Sequence, residues 1–298
     1  MSEKPKSFLF ITSKVSRGLS TLASELQKTG KDATIASCAP AGIAARLRVP
    51  HIRLYRFKLF RKRILIPNRQ LRDFLNAANP LVFALDHPAY KLAAKMKIKA
   101  RTDAIHFGLD MRLFSPDSVS AARIVRFLSE YNIAPYQKMI VVISRMGDGL
   151  VPLLNAMKTV GDPDLVVALY GFAKKAAARK IMRQIKESGQ EFRIIYIPAD
   201  ADLPTMLRAA YATLSLFGHN RDMMMSTIAM GRPAIWGKNT FALNANIEIK
   251  DESNPADVAA AISAALTLSN AELAGFEKKN ISTARAFSVE NTIKKVCS

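Results

Sequence analysis

Eight short apolar runs recur along the chain, each closed by turn formers and separated from the next by residues with helical spacing. They read FLFIT (8–12), ATIAS (33–37), LVFAL (81–85), MIVVIS (139–144), LVVALY (165–170), RIIYIP (193–198), TLSLF (213–217) and AIW (234–236). Runs this short are strand-length, and being apolar without alternation they must be covered on both faces. Strands of that kind alternating with helices predict parallel sheets sandwiched between helix layers.

The intervening segments carry the helices. Leu19, Leu22, Ala23 and Leu26 fall on one face of a helix over 19–29, with Gly30 just past its end. Similar patterns predict helices over 89–99, 151–159, 173–188, 203–211, 223–230, 256–266 and 270–283. The rhythm occurs twice, so the chain is expected to form two Rossmann-like α/β domains, with ligands at the carboxyl ends of the strands. The boundary runs through 107–132, where the polar turn SPDS precedes the first helix of the second domain. A length of 298 residues with 49% hydrophobic content is enough for two such cores.

Charge is unevenly spread. Of the formal net charge of +20, residues 1–108 hold most, with 21 Lys and Arg against 6 Asp and Glu. RLRVPHIRLYRFKLFRKRILIPNRQLR (46–72) has ten basic residues and no acidic one. Such a field attracts anionic lipid, nucleic acid or a phosphorylated substrate, or is simply a solvated face. In YRFKLFRKRILI, aromatic and aliphatic residues interleave with cations, the pattern of a peripheral membrane contact. Arg53, Arg56, Lys58, Arg61, Lys62 and Arg63 are the candidate contacts. No RNA- or DNA-binding motif accompanies the charge, which ranks nucleic acid below membrane as partner. Cys38 and Cys297 have neither metal nor redox spacing, and no His/Cys/Asp cluster has ligand spacing, so no metal is expected. No run of 18 apolar residues exists, and the apolar stretch in MSEKPKSFLFITSK is too short for a signal peptide. The expected location is cytoplasmic, peripheral on the inner face of the membrane.

HFGLDMRLFSPDS (106–118) resembles the linker "NG-V-D-x-x-x-F-x-P" of retaining glycosyltransferases with the two-domain GT-B fold, of the group 1 or family-four type. Gly108, Asp110, Phe114 and Pro116 stand at the matching positions. KMIVVISRM is similar to the "hhhVGRL" strand of that family, with Arg145 at the arginine, and LVVALYGFAKK to "LVIVGDGP". In RIIYIPADADLPTMLRAAYATLSLF, Leu203, Pro204, Leu207 and Tyr211 keep the family's pattern, and IAMGRPAI resembles "EAMACGRPVV". FSVENTIKKV resembles the closing "FSWE" helix, which crosses back onto the first domain. In the first domain, SRGLSTLASELQKTGKDATIAS is similar to the opening helix unit, with Gly18 at its second glycine. NPLVFALDHP resembles the strand end that bears a histidine, placing Asp86 or His87 there. Only about twenty residues then remain before the linker, so the resemblance implies a reduced N-terminal domain. It sets the domains at 1–115 and 116–285, with 286–298 as the returning helix.

The resemblance implies transfer of a sugar from a nucleotide-sugar donor to an envelope glycolipid, lipopolysaccharide or polysaccharide acceptor, without a metal or other cofactor. Cationic side chains and helix N-terminal amides would neutralise the leaving diphosphate. Gly18, Arg145, His219, Asn220, Asp222 and Ser226 are the candidate donor contacts, and Asp86 and His87 the candidate catalytic residues. Two departures stand out. Asp148 falls where the family has a lysine, and a carboxylate beside a diphosphate has the wrong sign. Counting back from Gly231, the paired glutamates E-x7-E become Gly218 and Ser226. Neither carries charge, and a neutral hydroxyl bonds about half as strongly as a carboxylate. The alternative expectation is therefore a catalytically degenerate homologue that binds or scaffolds at an anionic membrane. Each candidate also has an ordinary reading: a salt bridge for Arg145, loop positions for His219 and Asn220, a turn residue for His87, and core filling for Met223–Met225.

Overall fold

A computed structural model describes residues 7–12, 15, 17–38, 48–59, 62–101, 108–143, 150–171, 175–217, 221–237 and 246–297. The chain divides into two compact units, Met1–Asp110 with Phe287–Ser298, and Met111–Ala286.

The first unit is built on a five-stranded sheet, β1 (Ser7–Thr12), β2 (Asp32–Ser37), β3 (His51–Arg53), β6 (Leu81–Ala84) and β7 (Ala100–Arg101), in the order β3-β2-β1-β6-β7. Every pairing in it is parallel. Alternation along β1 sorts its side chains to opposite faces. Phe8 and Phe10 pack with Leu19, Leu22, Ala23 and Leu26 of α1 (Arg17–Lys28), and with Val289 and Val296 of the C-terminal helix. Leu9 and Ile11 pack on the other side with Leu71 of α2 (Arg69–Ala78) and with Ala89 and Leu92 of α3 (His87–Lys95). Burial on both sides is why FLFIT contains no polar residue before Thr12. Phe10 stacks on Phe83 of β6 at 5.5 Å between ring centroids.

The described residues of the basic segment are largely in regular structure. They form β3, an antiparallel ribbon of β4 (Tyr55–Leu59) and β5 (Lys62–Ile66), and α2. The ribbon pairs with itself and belongs to neither large sheet. Helix α3 begins two residues before the expected 89, because Asp86 caps it, and ends at Lys95, with Lys97 turning left-handed at φ 56°.

The two motifs that flank the second unit meet inside the first. Leu109 N–H donates to Phe287 O at 2.9 Å, and Val289 N–H donates to Leu109 O at 3.0 Å. A Cβ at Gly108 would run into the Val289 backbone. The glycine of FGLD thus exists to let the backbone of FSVE approach, and the helix Val289–Cys297 (α11) packs against α1.

The second unit holds a six-stranded parallel sheet: β8 (Lys138–Val142), β9 (Leu165–Gly171), β10 (Ile194–Pro198), β11 (Ala212–Leu214), β12 (Ala234–Gly237) and β13 (Ile247–Ile249). Its order is β10-β9-β8-β11-β12-β13. Helices α4 (Ala121–Glu130), α5 (Leu150–Met157), α6 (Lys175–Glu187), α7 (Leu203–Ala209), α8 (Arg221–Ala229), α9 (Pro255–Leu266) and α10 (Asn270–Ala286) accompany it. Asp202 caps α7 and pairs with Arg123 of α4 at 2.7 Å. The AMGRP segment ends α8, turns at Gly231 (φ +75°) and enters β12. Arg232 is fastened there: its Nε donates to Arg208 O at 3.0 Å, while Asn280 Nδ2 donates to Arg232 O at 2.8 Å. Burial and the neighbouring Arg208 charge lower the Arg232 guanidinium to about 10, partly offset by Glu277. These bonds tie the end of α8 to α7 and α10.

Candidate functional site

In a doubly wound sheet the crevice lies where the strand order reverses, outside the carboxyl ends. The second unit reverses between β8 and β11, and the first between β1 and β6. At the second unit's reversal, β8 leads to 144–149 and β11 to 218–220, so Arg145, His219, Asn220, Asp148 and Gly218 lie outside the described residues. The chain up to Phe217 and from Arg221 onward lies within them.

TLSLF was expected to be strand to its end, but β11 stops at Leu214 and the chain leaves the sheet by Phe217, whose φ is +46°. Helix α8 then opens at Arg221. Asp222 occupies its first turn, and burial raises its carboxyl above the ordinary range, an effect Arg221 partly opposes. Burial lowers the Arg221 guanidinium, which Asp222 partly restores. Ser226 is buried, and its hydroxyl donates to Asp222 O at 2.8 Å. Its hydrogen is therefore turned onto the helix, leaving acceptor lone pairs in place of the two charged oxygens a glutamate would bring. Asp222 and Ser226 share one helical face, one turn apart. Met224 and Met225 are buried in the core.

Two residues at this edge escaped the sequence reading. Arg221 is a cation at the start of α8, signalled only by its place in a strand-to-helix turn. Glu252, from the turn between β13 and α9, carries a carboxylate to the strand ends. Phe217 N–H donates to Glu252 Oε2 at 2.7 Å, and Gly237 N–H to Glu252 Oε1 at 3.1 Å. No local pattern in KDESNP announces that role.

At the reversal in the first unit, Thr12 ends β1, and Gly18 lies in the first turn of the helix after it. Thr12 Oγ1 donates to Asp86 Oδ2 at 3.0 Å, and Asp86 Oδ1 accepts from Ala89 N–H at 2.9 Å. Asp86 is thus the N-cap of α3, with a bond to each oxygen. His87, the first residue of the helix, is exposed.

Of the membrane candidates, Arg53 is exposed on edge strand β3. Arg56 and Lys58 stand on β4, Lys62 and Arg63 on β5, and Arg61 lies outside the described residues. The paired positions Tyr55 and Ile66 are 64% and 41% exposed. Among the described residues no group of His, Cys, Asp and Glu could hold a metal, and no single helix is long and apolar enough to cross a membrane.

No family model and no curated protein sequence matches the chain. Solved structures do. A glycosyltransferase from Rickettsia africae superposes with a TM-score of 0.74 at 12% identity, covering 99% of this chain and 97% of that one. HepE from Anabaena, solved with UDP and glucose, gives 0.69 at 15% identity, covering 98% of both chains. WaaG, a glycosyltransferase involved in lipopolysaccharide biosynthesis, gives 0.65 at 11% identity, covering 98% of this chain and 99% of that one. The chain has the GT-B fold that these glycosyltransferases share.

Proposed function

We propose that this protein binds a nucleotide-sugar at the reversal point of the second unit and transfers its sugar to a lipid-linked or polysaccharide acceptor of the cell envelope. The observation that carries the reading is the start of α8. A helix N-terminus and the Arg221 cation stand at the carboxyl end of β11, where a doubly wound sheet takes its ligand. HepE, of the same fold, was also solved with UDP-glucose. In the transfer, the bond from the anomeric carbon to the diphosphate oxygen breaks and one to an acceptor hydroxyl oxygen forms. The hydroxyl proton leaves to a base or water. Arg221, with Arg145 from the residues that follow β8, would neutralise the departing diphosphate, while Asp222 and Ser226 would accept from sugar or ribose hydroxyls. His87 is the proposed proton acceptor in the first unit, with Asp86 fixing the turn that presents it. Arg53, Arg56, Lys58, Arg61, Lys62 and Arg63 would hold the protein on an anionic membrane at its cytoplasmic face.

A second reading is favoured by one specific observation: the Ser226 hydroxyl is turned onto its own helix where the family has a carboxylate. On that reading the chain is a degenerate homologue that binds or scaffolds at the membrane without catalysis. Calorimetric titration with UDP-, GDP- and ADP-sugars separates the two. Heat of binding followed by release of free nucleotide in the presence of envelope lipid supports the enzyme, and silence across the panel removes it. Co-sedimentation with anionic but not neutral vesicles, weakening with salt, is what the basic segment predicts.

A further inference from the structure

The carboxyl edge of the second unit contains a clamp that the proposed chemistry has not used. Glu252 lies just past β13, yet one oxygen reaches the segment leaving β11, through Phe217 N–H three residues beyond that strand, and the other the last residue of β12, through Gly237 N–H. The three strands are neighbours in the order β11-β12-β13, so one side chain from the turn after β13 ties together the exits of the two strands beside it. The approach is close enough that a Cβ at Gly237 would stand 2.5 Å from Glu252 Oε1. Residues 218–220 and 238–245, which follow these two amides, lie outside the described residues.

Phe217 gives this clamp a task. Its φ of +46° is costly for a bulky residue and persists only where the surroundings over-determine it. Its ring packs against the core of the second unit, and its amide is held by Glu252. The two restraints together set the direction in which β11 hands over to α8. That handover places Arg221, Asp222 and Ser226. A carboxylate accepting two backbone N–H bonds is suited to the work, because charge-assisted bonds are the shorter and stronger kind.

We propose that Glu252 is a positioning residue for the donor site: it holds the ends of β11 and β12 so that the first turn of α8 faces the ligand. The functional half of this inference rests on the nucleotide-sugar reading above. Glu252 supplies from beyond β13 a carboxylate anchor for an edge whose own positions 218 and 226 have none.

The test uses the full chain and two substitutions, Glu252→Gln and Glu252→Ala, with hydrogen exchange and UDP-glucose titration as separate readouts. Gln is nearly isosteric and keeps one acceptor oxygen, whereas Ala removes both. The expected result in the unliganded protein is exchange about tenfold faster or more at the Phe217 and Gly237 amides in Ala. In Gln, at least one of the two amides should quicken, while those of β8 and β9 do not change. The expected result in the titration is a UDP-glucose Kd weakened about tenfold or more in Gln, with the cooperative unfolding transition retained. Unchanged exchange at both amides in Gln and Ala overturns the clamp. A protected-amide change with unaltered UDP-glucose affinity overturns the positioning role. Loss of the unfolding transition in Gln also overturns it, since Glu252 would then serve stability in general. If the wild-type protein gives no heat with any of the UDP-, GDP- and ADP-sugars, the donor reading fails by itself and takes the positioning role with it; if another sugar nucleotide binds, it replaces UDP-glucose in the titration. The exchange arm still decides whether the clamp exists.

Discussion

The two sheets reverse their strand order in the same way but secure that point differently. In the first unit the carboxylate is local: Asp86 stands two residues past β6 and caps the helix that begins at the next residue, accepting from Ala89 N–H three residues on. In the second unit it is remote: Glu252 is 35 residues from Phe217 and enters from behind β13. The local device fixes one helix to one strand end. The remote one joins the segment leaving β11 and the end of β12 to the turn after β13, ahead of the helix start that carries Arg221 and Asp222. The edge proposed to bind the donor is therefore the one whose own turn lacks a carboxylate cap from the preceding strand.

The contrast can be broken most forcefully through Gly108. Gly108→Ala puts a methyl into the Val289 backbone, so the strand-like contact between residues 108–109 and 287–289 must open. A loss of about 3 kcal/mol is expected, at the upper end for overpacking. The loss should be confined to the first unit. Trp236 is the single tryptophan and is fully buried in β12, so its fluorescence follows the second unit alone. An earlier far-UV circular dichroism transition with an unshifted Trp236 transition is the expected outcome, and a joint shift of both would show that the units unfold as one.

Asp86 sharpens the comparison on a smaller scale. Asp86→Ala removes an N-cap and the bond from Thr12, for about 1–2 kcal/mol, whereas Asp86→Asn keeps the cap acceptor and should cost only a few tenths. Transferase activity then separates cap from catalyst: a cap predicts Asn active and stable, while a carboxylate needed for proton transfer predicts Asn stable and inactive. Thermal unfolding and turnover on the same two variants give the answer.

The reach of the sequence alone divides along the same local and remote line. Apolar runs such as FLFIT and LVVALY named their strands because burial on both faces leaves no other choice for four to seven residues. Asp86 was placed at a strand end but taken there as a catalytic candidate, so its role as the cap of α3 was not named, although caps act within one turn. The ribbon was missed although its signal was present: in YRFKLFRKRILI the interleaving of apolar and cationic residues is in part the period-2 pattern of strands, taken there as charge. Phe217 and Glu252 were out of reach. A left-handed bulky residue contradicts local preference, and its partner 35 residues away has no spacing rule to betray it. The sequence placed a helix ending at Met230 and a strand starting at Ala234, but that Arg232 donates to Arg208 O needed the packing of α7 and α10.

The smallest effects come from two aspartates of the second unit that respond to pH in opposite senses. Burial pushes the Asp202 carboxyl up, but the hydrogen bonds from Arg123 and Thr205 outweigh it and leave it lowered. Its contribution is complete above the ordinary aspartate range and is lost as pH falls through the lowered value. Asp222 is raised by burial, so the folded state prefers it protonated, and its contribution declines as pH rises from the ordinary range through the raised value. Arg123→Ala should therefore cost about 0.5 kcal/mol at neutral pH, as for a half-exposed pair, and almost nothing in strong acid. Asp222→Asn should do the reverse, gaining slightly on the wild type at neutral pH and losing that advantage in acid. Denaturant midpoints followed through Trp236 across the acidic range read both. A neutral-pH loss for Asp222→Asn would mean that the ionised carboxylate stabilises the start of α8, and the proposed hydroxyl acceptor would then be a structural anchor of the same kind as Asp86.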